Sequence, residues 1–156
     1  MINHSPKSKS PFENGQSLVE MAIGLPILLL LLCGLLDLGR VYFIYVALED
    51  GAGEAALYLA INPSCPTAAA GAQCADPNNA EYRARKGGGQ EVDWSIADIK
   101  IDIPTDENNI PIYDVGESVS VTIEYPFQLL TPIIPKIAGI NPITLYTHAS
   151  QVIIGE

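Results

Sequence analysis

Two histidines, three cysteines, one acid set in an apolar run and one acid–base pair just beyond it are the side chains of this chain that invite a chemical reading. The histidines bear on nucleophilic catalysis. His4 stands near the N-terminus and His148 within an alternating stretch. A Ser-His-Asp triad would rest on His148 alone, and no nucleophile-elbow motif surrounds its candidate partners; His148 is read as a satisfied or solvated strand residue. Asp106-Glu107-Asn108-Asn109 offers oxygens to calcium but lacks the EF-hand spacing and its glycine, so a solvated loop is expected there. Gly87-Gly88-Gly89 has no Lys-Ser/Thr after it and is neither a P-loop nor a dinucleotide fingerprint; it reads as a flexible loop. These residues imply no enzyme, no cofactor, no metal site and no small-molecule substrate.

Cys65 and Cys74 flank a short Ala/Gly-rich stretch. In an oxidising compartment they are expected to form a disulfide, with free thiols as the alternative; two cysteines without a nearby His make no zinc site. Cys33 lies in the apolar run and reads as a small buried hydrophobe.

The acid in the apolar run is Glu20. Residues 18–36 read LVEMAIGLPILLLLLCGLL, apolar except for that one carboxylate. As a helix the stretch is about 28 Å long, close to the thickness of bilayer hydrocarbon. It continues into Asp37-Leu38-Gly39-Arg40 with no small-residue cleavage site, and Leu32 rather than a small residue precedes Cys33. A secretory or lipoprotein signal is therefore disfavoured against a retained transmembrane helix. Lys7 and Lys9 just before it place the N-terminus in the cytoplasm and the remainder outside. Pro26 is tolerated in such a helix. Glu20 then has two readings: a residue one turn inside the interface that snorkels to headgroups, or a charge awaiting a positive partner on another chain or at a freed N-terminus.

Asp37 and Arg40 are neighbours on one helix face, either as a hydrated interfacial pair or with a packing or assembly role. Tyr42, Phe43 and Tyr45 suit an interfacial aromatic belt. Beyond them Val41, Ile44, Tyr45, Leu48, Ala52, Ala55, Ala56 and Leu59 recur at helical spacing, while Gly51 and Gly53 allow close approach of another element. One long, bent helix from about Ser17 to Ile61 follows, ended by Asn62-Pro63. Its outer part is expected to pack on the domain beyond it.

In that domain Asp76-Pro77 reads as a helix start, with Asp as N-cap, for a short helix through Lys86 that carries Tyr82 inward. Residues 96–103 alternate with Ile99, Ile101 and Ile103 on one face. Residues 117–125 alternate likewise, with Val119, Val121, Ile123 and Tyr125 opposite Ser118, Ser120, Thr122 and Glu124. Residues 143–154 read as a third strand, and 110–113 as a short edge piece. The fold class is α+β: a long N-terminal transmembrane helix extending into a stalk, then a small antiparallel sheet packed on that helix. Residues 127–140 are apolar but broken by Pro132 and Pro135. This stretch covers the sheet edge, touches the membrane surface or meets a neighbouring subunit; a partner contact around Tyr125, Pro126 and Phe127 is the functional expectation.

The chain is acidic, with a formal net charge of -10 over 156 residues, and phosphate neutralisation needs clustered Lys and Arg, so no nucleic acid is expected. From residue 62 onward five basic residues face twelve acids, a net of -7. The acidity thus belongs mostly to the outer domain, where it serves solubility and spacing.

Gly15-Gln16-Ser17-Leu18-Val19-Glu20, followed at once by an apolar helix, resembles the class III signal of type IV pilins and pseudopilins. With the Asp37-Leu38-Gly39-Arg40 junction, the Ala-rich helix and the YPFQLLTPIIP segment at 125–135, the chain is similar to TadE-like proteins at both ends, with a variable middle. Glu13-Asn14 stands where that family often has basic residues, and Met21 where an aromatic is common.

The resemblance implies a pilin-like fold and a pseudopilin, or minor pilin, of the Flp/Tad pilus machinery. It implies cleavage by a prepilin peptidase between Gly15 and Gln16, and pairing of Glu20 with the N-terminal amine of a neighbouring subunit. It also implies an assembly role for Asp37 and Arg40, and other pilins, assembly-platform proteins and membrane lipid as partners. The organisation that follows is a leader at 1–15, a transmembrane and stalk helix at 16–61 and an outer α+β domain at 62–156. Within the last, 62–90 holds the cysteine loop and short helix, and 91–156 the sheet. The alternative is an uncleaved, single-pass, membrane-anchored binding domain.

Overall fold

The computed structural model describes residues 12–131, 139 and 142–155. His4, Lys7, Lys9 and most of the leader, together with Pro132 and Pro135, lie outside the described residues. The chain is α+β, as the patterning predicts. Helix α1 runs Phe12–Ile61, with Pro26 inside it. It is about 75 Å long at 1.5 Å per residue. A short helix α2 covers Ala80–Gly87, and strands β1 (Asp98–Asp102), β2 (Ser118–Phe127) and β3 (Ile143–Val152) form one antiparallel sheet in the order β1-β2-β3.

Alternation sets the register. Ile99 and Ile101 of β1 pair with Ile123 and Val121 of β2, and Val121 and Ile123 pair in turn with Ala149 and Thr147 of β3. The apolar face of β2, Val119 to Phe127 at every second residue, is buried against Leu48, Ala52, Ala55, Ala56 and Leu59 of α1. Val41 and Ile44 are half-buried on the same stripe, whereas Tyr45 lies off it and is exposed. The opposite face of the sheet is polar. Ser118 and Ser150 share a hydrogen bond of 2.8 Å, Thr122 Oγ1 lies 3.1 Å from His148 Nδ1, and Lys100 pairs with Glu124. His148 is thus a solvated strand residue, as read.

Three local expectations are corrected. The N-cap of α2 is Asn79, not Asp76: its side chain accepts from the Tyr82 N–H at 2.8 Å and donates to the Cys74 carbonyl at 2.9 Å. The helix starts there because the cysteine loop satisfies its first N–H groups, Ala80 donating to the Cys65 carbonyl and Glu81 to that of Pro66, both at 3.1 Å. Residues 110–113 supply one isolated bridge, Thr105 to Pro111, because Asp106 folds the loop onto itself. Its carboxylate accepts the N–H groups of Asn108 and Ile110 at 2.8 Å, and the Ile110 bond does most to hold its pKa below the usual carboxylate value.

The triple glycine, thirdly, is a packing contact rather than a flexible loop. Gly88 is buried under Trp94, whose Nε1–H donates to the Gly89 carbonyl at 2.8 Å. On α1, Gly51 lets Ala84 of α2 approach so closely that a Cβ would stand 2.6 Å from its carbonyl oxygen, while Gly53 faces open space.

The domain is tied to α1 at two levels. Near the helix C-terminus Ile154 and Gly155 donate backbone N–H groups to the Ala60 carbonyl at 2.8 and 3.1 Å. Near residue 37 Leu130 and Thr131 donate to Asp37. The two ties are 23 residues apart, roughly 35 Å along the helix.

Candidate functional site

Gly15 and Gln16 lie in the first turns of α1, on a helix surface that the other described residues leave bare. Glu20 is exposed one turn further on, and the Gln16 side-chain amide donates to its Oε1 at 3.4 Å. Among the described residues no cation lies within ion-pair distance of Glu20. From Gly15 to Ile61 the helix contains an 18-residue window of mean hydropathy 2.4, none of it buried by the chain itself. By length and composition this helix is long and apolar enough to cross a membrane. Cys33, expected to be buried, is exposed on this surface.

Asp37 departs from that bare surface. Its residue is 2 % exposed, and both carboxylate oxygens are engaged. Leu130 N–H donates to Oδ1 at 3.0 Å, while Thr131 donates to Oδ2 through its N–H at 2.9 Å and its hydroxyl at 2.6 Å. Arg40, one turn later, brings Nη1 to 3.4 Å of Oδ1 and sets its guanidinium carbon 5.0 Å from the centre of the Phe127 ring. The pair, read as either hydrated or packed, is half-sequestered: Asp37 is covered and Arg40 remains partly open to solvent.

Tyr125 and Phe127, expected to meet a partner, are 7 % and 1 % exposed in the chain's own core. Alternation puts both on the face of β2 that lies against α1, so the segment covers the core, and of the three only Pro126 keeps partial exposure. Farther out, Cys65 and Cys74 form a disulfide with Cα atoms 5.1 Å apart. Among the described residues no three His, Cys, Asp or Glu side chains gather as a metal site would require.

Thr131 is the residue that sequence reasoning passed over. It is the hydroxyl in an otherwise apolar stretch, Leu129-Leu130-Thr131-Pro132, and Asp37 is the acid at the end of the apolar helix. Each was a polar group in need of a partner, and that need was the available signal.

No curated protein and no solved structure matches the chain. The family described as TadE-like protein matches at residues 15–57, which include Gly15, Glu20, Asp37 and Arg40. Over that helical segment the chain is similar to the TadE-like family.

Proposed function

We propose that the chain is a pseudopilin, or minor pilin, of the Tad (Flp) type IV pilus machinery, held in the cytoplasmic membrane with its N-terminus inside and its sheet domain outside. A prepilin peptidase cuts between Gly15 and Gln16, and the mature helix enters a bundle with other pilins and the assembly platform. Glu20 then sets the register between subunits by pairing with the N-terminal amine of a neighbour. In a bilayer this pairing is selective, because an unmatched carboxylate costs on the order of 2.5–3.5 kcal/mol at the centre of a span and less near its ends.

The observation that carries the reading is Glu20 itself. It lies five residues past Gly15 in the family-matched segment, on a bare apolar helix, with no cation beside it among the described residues. N-terminal sequencing of the membrane-extracted protein tests it. A mature start at Gln16, lost on Gly15→Leu, is expected, and Glu20→Ala should be cleaved normally yet fail to co-assemble with other pilins. An intact leader on the functional protein would leave the uncleaved anchored binding domain as the better description.

A further inference from the structure

We infer that residues 129–131 are sunk into the outer leaflet, with the Leu130 side chain against lipid acyl chains and Asp37 as the group that makes this burial tolerable. Thr131 and Leu130 border a cleft on α1 whose other walls are Leu30, Cys33, Leu36 and Asp37. Leu30 is seven residues before Asp37, so the cleft reaches about 10 Å down the helix from the carboxylate. The apolar run 18–36 is only just long enough to cross about 30 Å of hydrocarbon. It cannot be raised to bring Leu30 and Leu36 into water without pulling the other end, where Glu20 lies, deeper into the bilayer. Whatever packs beside Leu30 and Leu36 therefore lies at hydrocarbon depth.

Irregular backbone at that depth is permitted only where its polar groups are satisfied by protein. Asp37 does this for the two N–H groups and the Thr131 hydroxyl at the tip, and Arg40 balances its charge from the interfacial side. With these donors satisfied, the segment turns an apolar side chain outward: Leu130 is 70 % exposed and continuous with the exposed faces of Leu36 and Cys33. That continuity with the span selects acyl chains as the occupant. Asp37 is accordingly a positioning residue that fixes how deep the outer domain sits.

The inference rests on residues 18–36 crossing the bilayer, and the experiment separates the two claims. The full chain, carrying Cys33→Ala, is reconstituted into phosphatidylcholine–phosphatidylglycerol vesicles with a nitroxide on Leu130→Cys, Leu28→Cys or Ile110→Cys. Collisions with oxygen, which concentrates in hydrocarbon, are compared with those of an aqueous nickel chelate. The expected result is that oxygen is favoured several-fold over nickel at both 130 and the mid-span position 28, and that the label at 110 shows the reverse. Adding Asp37→Asn, which puts an amide donor against donors, should lower the ratio at 130 several-fold while leaving that at 28 unchanged and Trp94 fluorescence native. Nickel access at 130 with lipid access at 28 overturns the inference alone, as does a label at 130 that neither quencher reaches, which would mean protein covers it. Nickel access at 28 overturns the span reading and the inference with it.

Discussion

A methyl group added at Gly88 would stand 2.4 Å from Cζ2 of Trp94 and 2.6 Å from the carbonyl oxygen of Ala47. The Trp94 ring has little room to yield, since its N–H is committed to Gly89, and the backbone of α1 has none. Overpacking of this kind costs about 1–3 kcal/mol. Gly88→Ala should therefore lower the denaturant midpoint by that equivalent, and a double change with Trp94→Phe should not restore it fully, because the Ala47 carbonyl still blocks the methyl. An unchanged midpoint in chemical denaturation would show that α2 and α1 are not locked here. The same scale explains why Asp37 was only half legible. Its three-residue spacing from Arg40 is written in local sequence, but its other partners, the Thr131 hydroxyl and the N–H groups of Leu130 and Thr131, lie 93 and 94 residues away. The two backbone donors carry no side-chain signature, and the Thr131 hydroxyl shows only that a polar group needs a partner, not which one.

The elements were legible where one physical demand acted on many residues at once. β2 alternates because one face meets α1 and the other meets water, and the Val119, Val121, Ile123, Tyr125 series reports this without ambiguity. The apolar helix is legible for the same reason, since residues 18–36 are apolar on every side apart from Glu20. Boundaries set by a single hydrogen bond were not: Asp76 has the chemistry of a cap, yet Asn79 is the residue the cysteine loop delivers to the first turn. That coupling makes the disulfide matter beyond its own loop. Its cysteines are nine residues apart, and closing a loop of that size stabilises by roughly 2–3 kcal/mol in the chain-entropy description. Cys65→Ser with Cys74→Ser should lower the melting temperature and release the start of α2, seen as faster amide exchange at Ala80 and Glu81. Reductant should reproduce the shift in the wild type and leave the double variant unmoved; a wild type indifferent to reductant would assign the loop's order to Asn79 alone.

At the scale of the molecule, two halves share one helix. The buried cluster begins at Leu48 on α1, with Val41 as the earliest residue packed against it, and the residues of the apolar window before Asp37 contribute no burial to it. The sheet domain should then owe its stability to α1 only from Asp37 onward, where the first of the two ties holds. A fragment beginning at Asp37 keeps both ties and the whole buried cluster, and loses an apolar helical segment that adds nothing to that cluster. In mild detergent it should melt cooperatively at the temperature of the full chain and keep its near-ultraviolet circular dichroism, which reports Trp94 against Gly88. A second fragment beginning at Val41 removes Asp37 and Arg40 while sparing the cluster. It should fold with a lower melting temperature, because Leu130 and Thr131 lose their acceptor and Phe127 its guanidinium. Equal melting of the two fragments would mean that the first tie adds nothing to stability. A molten Asp37 fragment would mean that the bare half of α1 supports the sheet after all, through a contact the buried cluster does not contain. The intermediate outcome expected here makes the helix a shared part with divided duties: before Asp37 its apolar surface is left bare by the other described residues, and after Asp37 it is covered by the sheet it carries.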